Sequence, residues 1–153
     1  VYLVPAFSGL GAPYFNDKAR AAIIGMDRST RPAHLVRAAE ECIAYQIRDV
    51  VESVTEAAGR PLSRLCADGG PTRDRFLMRF QAGLLDMPLL VSETEELSGA
   101  GAAYCAAIGA GLVSEEQIFA GLREREILPE MENTERGKLL RGWREAVAAV
   151  AGK

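Results

Sequence analysis

The chain is short of the residues on which several kinds of chemistry depend. Among 153 residues there is one histidine, His34, so a serine–histidine hydrolase has a single candidate base and a zinc site has little to draw on. The three cysteines, Cys42, Cys66 and Cys105, are far apart and form no C-x-x-C pair. This pattern predicts reduced, packed thiols in a cytoplasmic protein rather than a disulfide frame or a metal knuckle. No run of lysine and arginine stands out, and the net charge is −3, which argues against nucleic acid or an acidic membrane surface as partner. There is no apolar stretch long enough to span a bilayer and no signal-peptide layout. Low-complexity segments and internal repeats are absent too.

What remains is ordinary for one globular domain, with 48% hydrophobic and 25% charged residues. The first residues, VYLVPAF, carry no methionine and read as the middle of a strand, which predicts a piece of a larger polypeptide. Val1 to Phe7 and Ala21 to Met26 read as short strands, separated by the Gly- and Pro-broken loop 8–20. Ser29, Thr30 and Pro32 then signal a helix start with hydroxyl caps. Leu35, Ala39, Cys42, Ile43, Ile47, Val50, Val51 and Val54 recur at helical spacing until Gly59 and Pro61. Further strands are expected at 62–67 and 89–91, and helices at 73–85, 96–111, 114–121 and 136–150. The alternation predicts an α/β domain with a largely parallel sheet flanked by helices and no internal linker.

Asp68-Gly69-Gly70 falls at the carboxyl end of a predicted strand, just before a helix, where open α/β sheets bind ligands. Paired glycines let a flat or phosphorylated ligand approach the backbone. A tight turn that needs glycine only for its backbone angles accounts for the same residues, and both readings stand at this point. Gly99-Ala100-Gly101 begins like a dinucleotide fingerprint, but Tyr104 occupies the third glycine's place, so small residues for close helix–sheet packing are the better reading. His34 lies in a first helical turn without a sequence partner. Glu40, Glu41, Arg37 and Arg48 read as a charged helix face, and Trp143, near Leu139, Leu140 and Val147, as an anchor for the last helix.

Taken together, several stretches resemble the FGGY carbohydrate kinases. AAIIGM followed after seven residues by HLVRAAEE is similar to the family's second signature, with Glu40 where an apolar residue normally stands. VYLVPAFSGLGAPYFNDKAR, AYQIRDV, DGG…FLMRFQ, GAGAAYCAAIGAGL and ERGKLLRGWREAV follow the family's order, and the likeness covers nearly the whole chain. The resemblance implies an actin-like, ribonuclease H-like ATPase fold, of which residues 1–153 would be part of the carboxyl-terminal nucleotide-binding domain. It implies ATP, with magnesium accompanying the nucleotide, and a kinase acting on a hydroxyl of glycerol or a related polyol or ketose. The catalytic aspartate and the phosphate-contacting hairpin would lie upstream of Val1, so no catalytic residue is expected here. Gly69 and Gly70 match the family's double-glycine turn against the adenosine. Asp74 matches a position facing the adenine edge, where the glycerol-phosphorylating members usually carry asparagine. A cytoplasmic homo-oligomer is expected, and a non-catalytic nucleotide-binding or assembly module is the alternative.

Overall fold

The computed structural model describes residues 1–94 and 96–152. Two short strands, β1 (Tyr2–Val4) and β2 (Ala22–Ile24), pair antiparallel with Leu3 opposite Ile23. The long helix α1 (Pro32–Ala58) follows, with proline at its first turn and Gly59 closing it in the left-handed conformation at φ 64°. The expected hydroxyl caps are not used. Ser29 and Thr30 are drawn into a turn around Asp27 Oδ1, and His34 Nδ1 instead accepts the Arg31 N–H at 3.1 Å.

A second, three-stranded sheet has the order β3-β4-β5, with β3 (Leu65–Ala67), β4 (Leu89–Ser92) and β5 (Glu124–Ile127). β3 and β4 are parallel, β4 and β5 antiparallel. The α/β class therefore holds, but the pairing within this chain is mixed, not largely parallel. β5 was not expected from sequence because EREI carries charge on both sides of an edge strand and shows no apolar alternation. Between β3 and β4 run a 3₁₀ turn (Gly70–Arg73) and α2 (Arg75–Leu85), which is buried along Leu77, Met78, Phe80, Ala82 and Leu84. After β4 come α3 (Leu97–Gly109) and α4 (Glu115–Gly121), and α5 (Asn133–Ala151) ends the chain.

The core gathers where α1, α2, β1 and α5 meet. Tyr45 of α1 is its centre: it stacks on Trp143 at 5.0 Å and takes Phe80 edge-on at 5.6 Å. Trp143 is fully buried, as expected of an anchor for the last helix, and Gly142 beside it leaves room for the Tyr2 ring, which a Cβ would overlap. The Trp143 indole N–H donates to Asp49 Oδ2 at 2.7 Å, and the Tyr14 hydroxyl donates to the same oxygen at 2.8 Å. One buried carboxylate thus ties the 8–20 loop and α5 to α1. Burial pushes the Asp49 pKa above the usual carboxylate range, against the pull of its two donors.

α1 has a second apolar line, formed by Val36, Ile43, Ile47, Val50 and Val54, which faces outward. α3 has no buried residue, and a Cβ added at Gly99, Gly101 or Gly109 would meet nothing within 4 Å. The close helix–sheet packing expected of these small residues is not formed among the described residues.

Candidate functional site

The turn from β3 into α2 brings Gly69, Gly70 and Asp74 together within a network of hydrogen bonds. The Gly69 carbonyl accepts the Thr72 N–H at 3.1 Å and the Thr72 hydroxyl at 2.7 Å. Pro71 sits at the start of the 3₁₀ turn, and its carbonyl accepts the Asp74 N–H at 3.1 Å. Asp74 caps α2, its Oδ1 accepting the Phe76 and Leu77 N–H groups at 2.9 and 3.0 Å. Asp74 Oδ2 carries no hydrogen bond among the described residues.

The two glycines differ in what they require. Gly69 has φ 85° and ψ 179°, a conformation that residues with a side chain rarely adopt, so the turn itself demands glycine there. Gly70 has no positive φ, and a Cβ built on it would meet nothing within 4 Å. The fold accounts for the first glycine and leaves the second unexplained: its backbone lies bare and exposed. Beside the turn is a groove of about 250 Å³, lined by Gly69, Thr72, Arg73, Val91, Ser92 and Arg125, with Glu93 at its edge. The arrangement offers an uncovered peptide surface, a spare carboxylate oxygen and arginine at one end. That suits a flat polar ligand laid against the backbone.

Thr72 and Arg125 were not singled out from sequence. A threonine followed two residues later by a capping aspartate is a local signal that finds the first; Arg125 depends on β5, which had no readable period. The rival sites do not assemble. His34 is exposed and spent on the α1 cap, and Gly99 and Gly101 lie inside α3 rather than in a strand-to-helix turn. Arg37 and Glu41 form an ion pair, as do Arg48 and Glu52. Among the described residues no group of three His, Cys, Asp or Glu gathers to hold a metal, and no helix is long and apolar enough to cross a membrane.

Comparison with known proteins points to the same region of one family. The chain is 49% identical over 153 residues to a glycerol kinase of Stenotrophomonas maltophilia, covering 98% of this chain and 30% of that one. The crystal structure of Plasmodium falciparum glycerol kinase with ADP superposes with a TM-score of 0.86 at 33% identity, over 97% of this chain and 30% of that one. A ligand-bound xylulose kinase from Lactobacillus acidophilus shares the fold, with a TM-score of 0.75 at 21% identity over 99% of this chain and 32% of that one. The chain thus spans about 30% of the length of the curated relatives it matches. Residues 1–110 match the carboxyl-terminal domain of the FGGY family of carbohydrate kinases, and the chain belongs to that family, with its actin-like α/β fold.

Proposed function

We propose that this chain is the nucleotide-binding portion of an ATP-dependent kinase that phosphorylates a hydroxyl of glycerol or a related polyol. The observation that carries this reading is Gly70, a glycine that the fold does not need, beside one that it does. In the proposed complex the adenosine lies against the bare 69–70 peptide, and a Cβ at position 70 would project into its place. Asp74 Oδ2 accepts a hydrogen bond from the adenine amino group while Oδ1 continues to cap α2. The capping role fixes the carboxylate's orientation, so the acceptor is already in place before the nucleotide arrives. The family match, and a relative whose crystal structure contains ADP, support the nucleotide assignment. Relatives named as glycerol kinases support the polyol.

Phosphoryl transfer depends on positioning and on neutralising charge across a cleft. This chain supplies one wall of that cleft. The general base that takes the hydroxyl proton, and the polyol site, belong in this proposal to the further length that the relatives possess. Magnesium would be held by the nucleotide's own phosphates and water, neutralising their charge; no residue of this chain is assigned to it. A coupled ADP-release assay with glycerol tests the proposal. A full-length protein carrying this segment should turn over, and this chain alone should not. Turnover that stays with the purified chain and scales with its amount would overturn the assignment. A full-length protein that binds ADP yet phosphorylates no polyol or ketose would establish the non-catalytic module instead.

A further inference from the structure

Arg75 and Arg79 of α2 stand in no ion pair among the described residues. On α1 Arg37 pairs with Glu41 and Arg48 with Glu52, each four residues apart, and α5 pairs Arg136 with Asp86 and Arg144 with Glu52. α2 instead begins with Arg75, at the positive end of the helix dipole, and repeats arginine four residues on at Arg79. Both placements disfavour the helix: cations are unfavourable in a first turn, and like charges at this spacing repel. Across from them, β5 presents Arg125, on the sheet face shared with Ala67 and Val91. The three arginines line one groove of about 320 Å³ together with Ile127 and Leu128. Glu126 and Glu130 line it as well, but neither forms an ion pair with any of the three among the described residues. The groove keeps one positive charge in excess, in a chain whose net charge is −3.

We propose that Arg75, Arg79 and Arg125 form a binding site for a phosphate group. Planar guanidinium forks suit the tetrahedral oxyanion, and a doubly charged ligand between them relieves both the repulsion within α2 and that across the groove. Ile127 and Leu128 offer apolar surface to the carbon part of a phosphate ester. Arg125 also lines the groove beside Gly69 and Thr72, so a phosphate held here acts at the edge of the turn between β3 and α2. The assignment does not depend on what that turn binds.

The test is titration of the ¹⁵N-labelled chain with inorganic phosphate, against chloride at constant ionic strength, reading the arginine Nε–Hε signals. Arg75, Arg79 and Arg125 should shift saturably with one shared dissociation constant, while Arg28, Arg60 and Arg64 stay in place. Arg79→Gln should weaken that constant by about tenfold, the effect of losing one charge-assisted partner, and Arg79→Lys should recover part of it. All three arginines are exposed, so an unchanged amide spectrum separates lost binding from lost folding. A parallel titration with methyl phosphate identifies the source: tighter binding assigns a phosphate ester, equal binding the free ion. Shifts that never saturate, or that the control arginines share, overturn the site, as does an Arg79→Gln chain with an unchanged constant.

Discussion

Replacing Asp49 with alanine should be among the most costly single changes outside the hydrophobic core. Asp49 is only 7% exposed and accepts two hydrogen bonds on one oxygen, from Tyr14 and from the fully buried Trp143 indole. Alanine removes the acceptor and leaves both donors. An orphaned buried N–H costs about 1–3 kcal/mol and a lost, partly solvated hydroxyl bond about 0.5–1.5 kcal/mol. The expected loss is therefore about 1.5–4.5 kcal/mol. Asp49→Asn keeps an acceptor for both donors and gives up only the charge. Since burial already disfavours that charge, its cost should stay below about 1.5 kcal/mol. Trp143 is the chain's only tryptophan and lies at the hub, so urea unfolding followed by its fluorescence reports directly. The pH dependence supplies a second check. The folded-state pKa of Asp49 is raised, so its protonation favours the folded chain; the associated stability is complete below the ordinary value of 3.8 and is lost as pH rises through the folded value. On acidification the native chain should accordingly gain stability relative to Asp49→Asn. An Asp49→Ala chain within about 0.5 kcal/mol of the native one, a difference typical of surface positions, would refute the hub. A stability gap between the native chain and Asp49→Asn that ignores pH would refute the burial argument.

Other expectations follow from the same geometry. Gly69→Ala should destabilise the chain by about 1–3 kcal/mol, because alanine must adopt a conformation close to glycine's alone, whereas Gly70→Ala should be nearly neutral; thermal or urea unfolding of the pair measures the contrast. Val36, at 61% exposed, and Ile43, Ile47, Val50 and Val54 present a continuous aliphatic line. The isolated chain should therefore form dimers or larger species in light scattering, and a clean monomer at high concentration would count against this. In a full-length kinase Asp74 should disfavour GTP, since guanine offers a carbonyl where adenine offers an amino group. Asp74→Asn should narrow the ATP-to-GTP gap in KM, because an amide can donate to that carbonyl.

The parts of the fold legible in the sequence were those that announce themselves locally. α1 was readable to the residue because Pro32 and Gly59 bracket an unbroken period. Its partition into two faces was not, since Ile43 and Cys42 look alike in sequence while only Cys42 is buried. That difference depends on what each side of the helix meets: Tyr45, Trp143 and Asp49 gather on one side, and the other is left exposed among the described residues. The helix at 97–109 was legible, but its surroundings were not, for the same reason. Asp27 took the hydroxyls expected to cap α1, a competition between two short-range motifs that composition alone does not decide. At the candidate site the sequence put Gly69 and Gly70 on the turn after a strand but Asp74 inside a helix from residue 73, where the structure makes it the cap of α2. It could not separate a glycine needed by the backbone from one that the backbone leaves free, because that distinction lies in φ and in the space around a missing Cβ.

The most direct test of the account is Gly70→Val in a full-length kinase carrying this segment, with KM for ATP and for the polyol measured side by side and circular dichroism confirming the fold. Position 70 has room for a side chain as far as this chain's own atoms are concerned, so the variant should fold. The account predicts a KM for ATP raised by about tenfold or more, the effect of losing 1.4 kcal/mol or more of binding, with the polyol's KM nearly unchanged. A folded Gly70→Val enzyme that keeps its native ATP dependence would contradict it, leaving the double glycine a corner of the fold and nothing more.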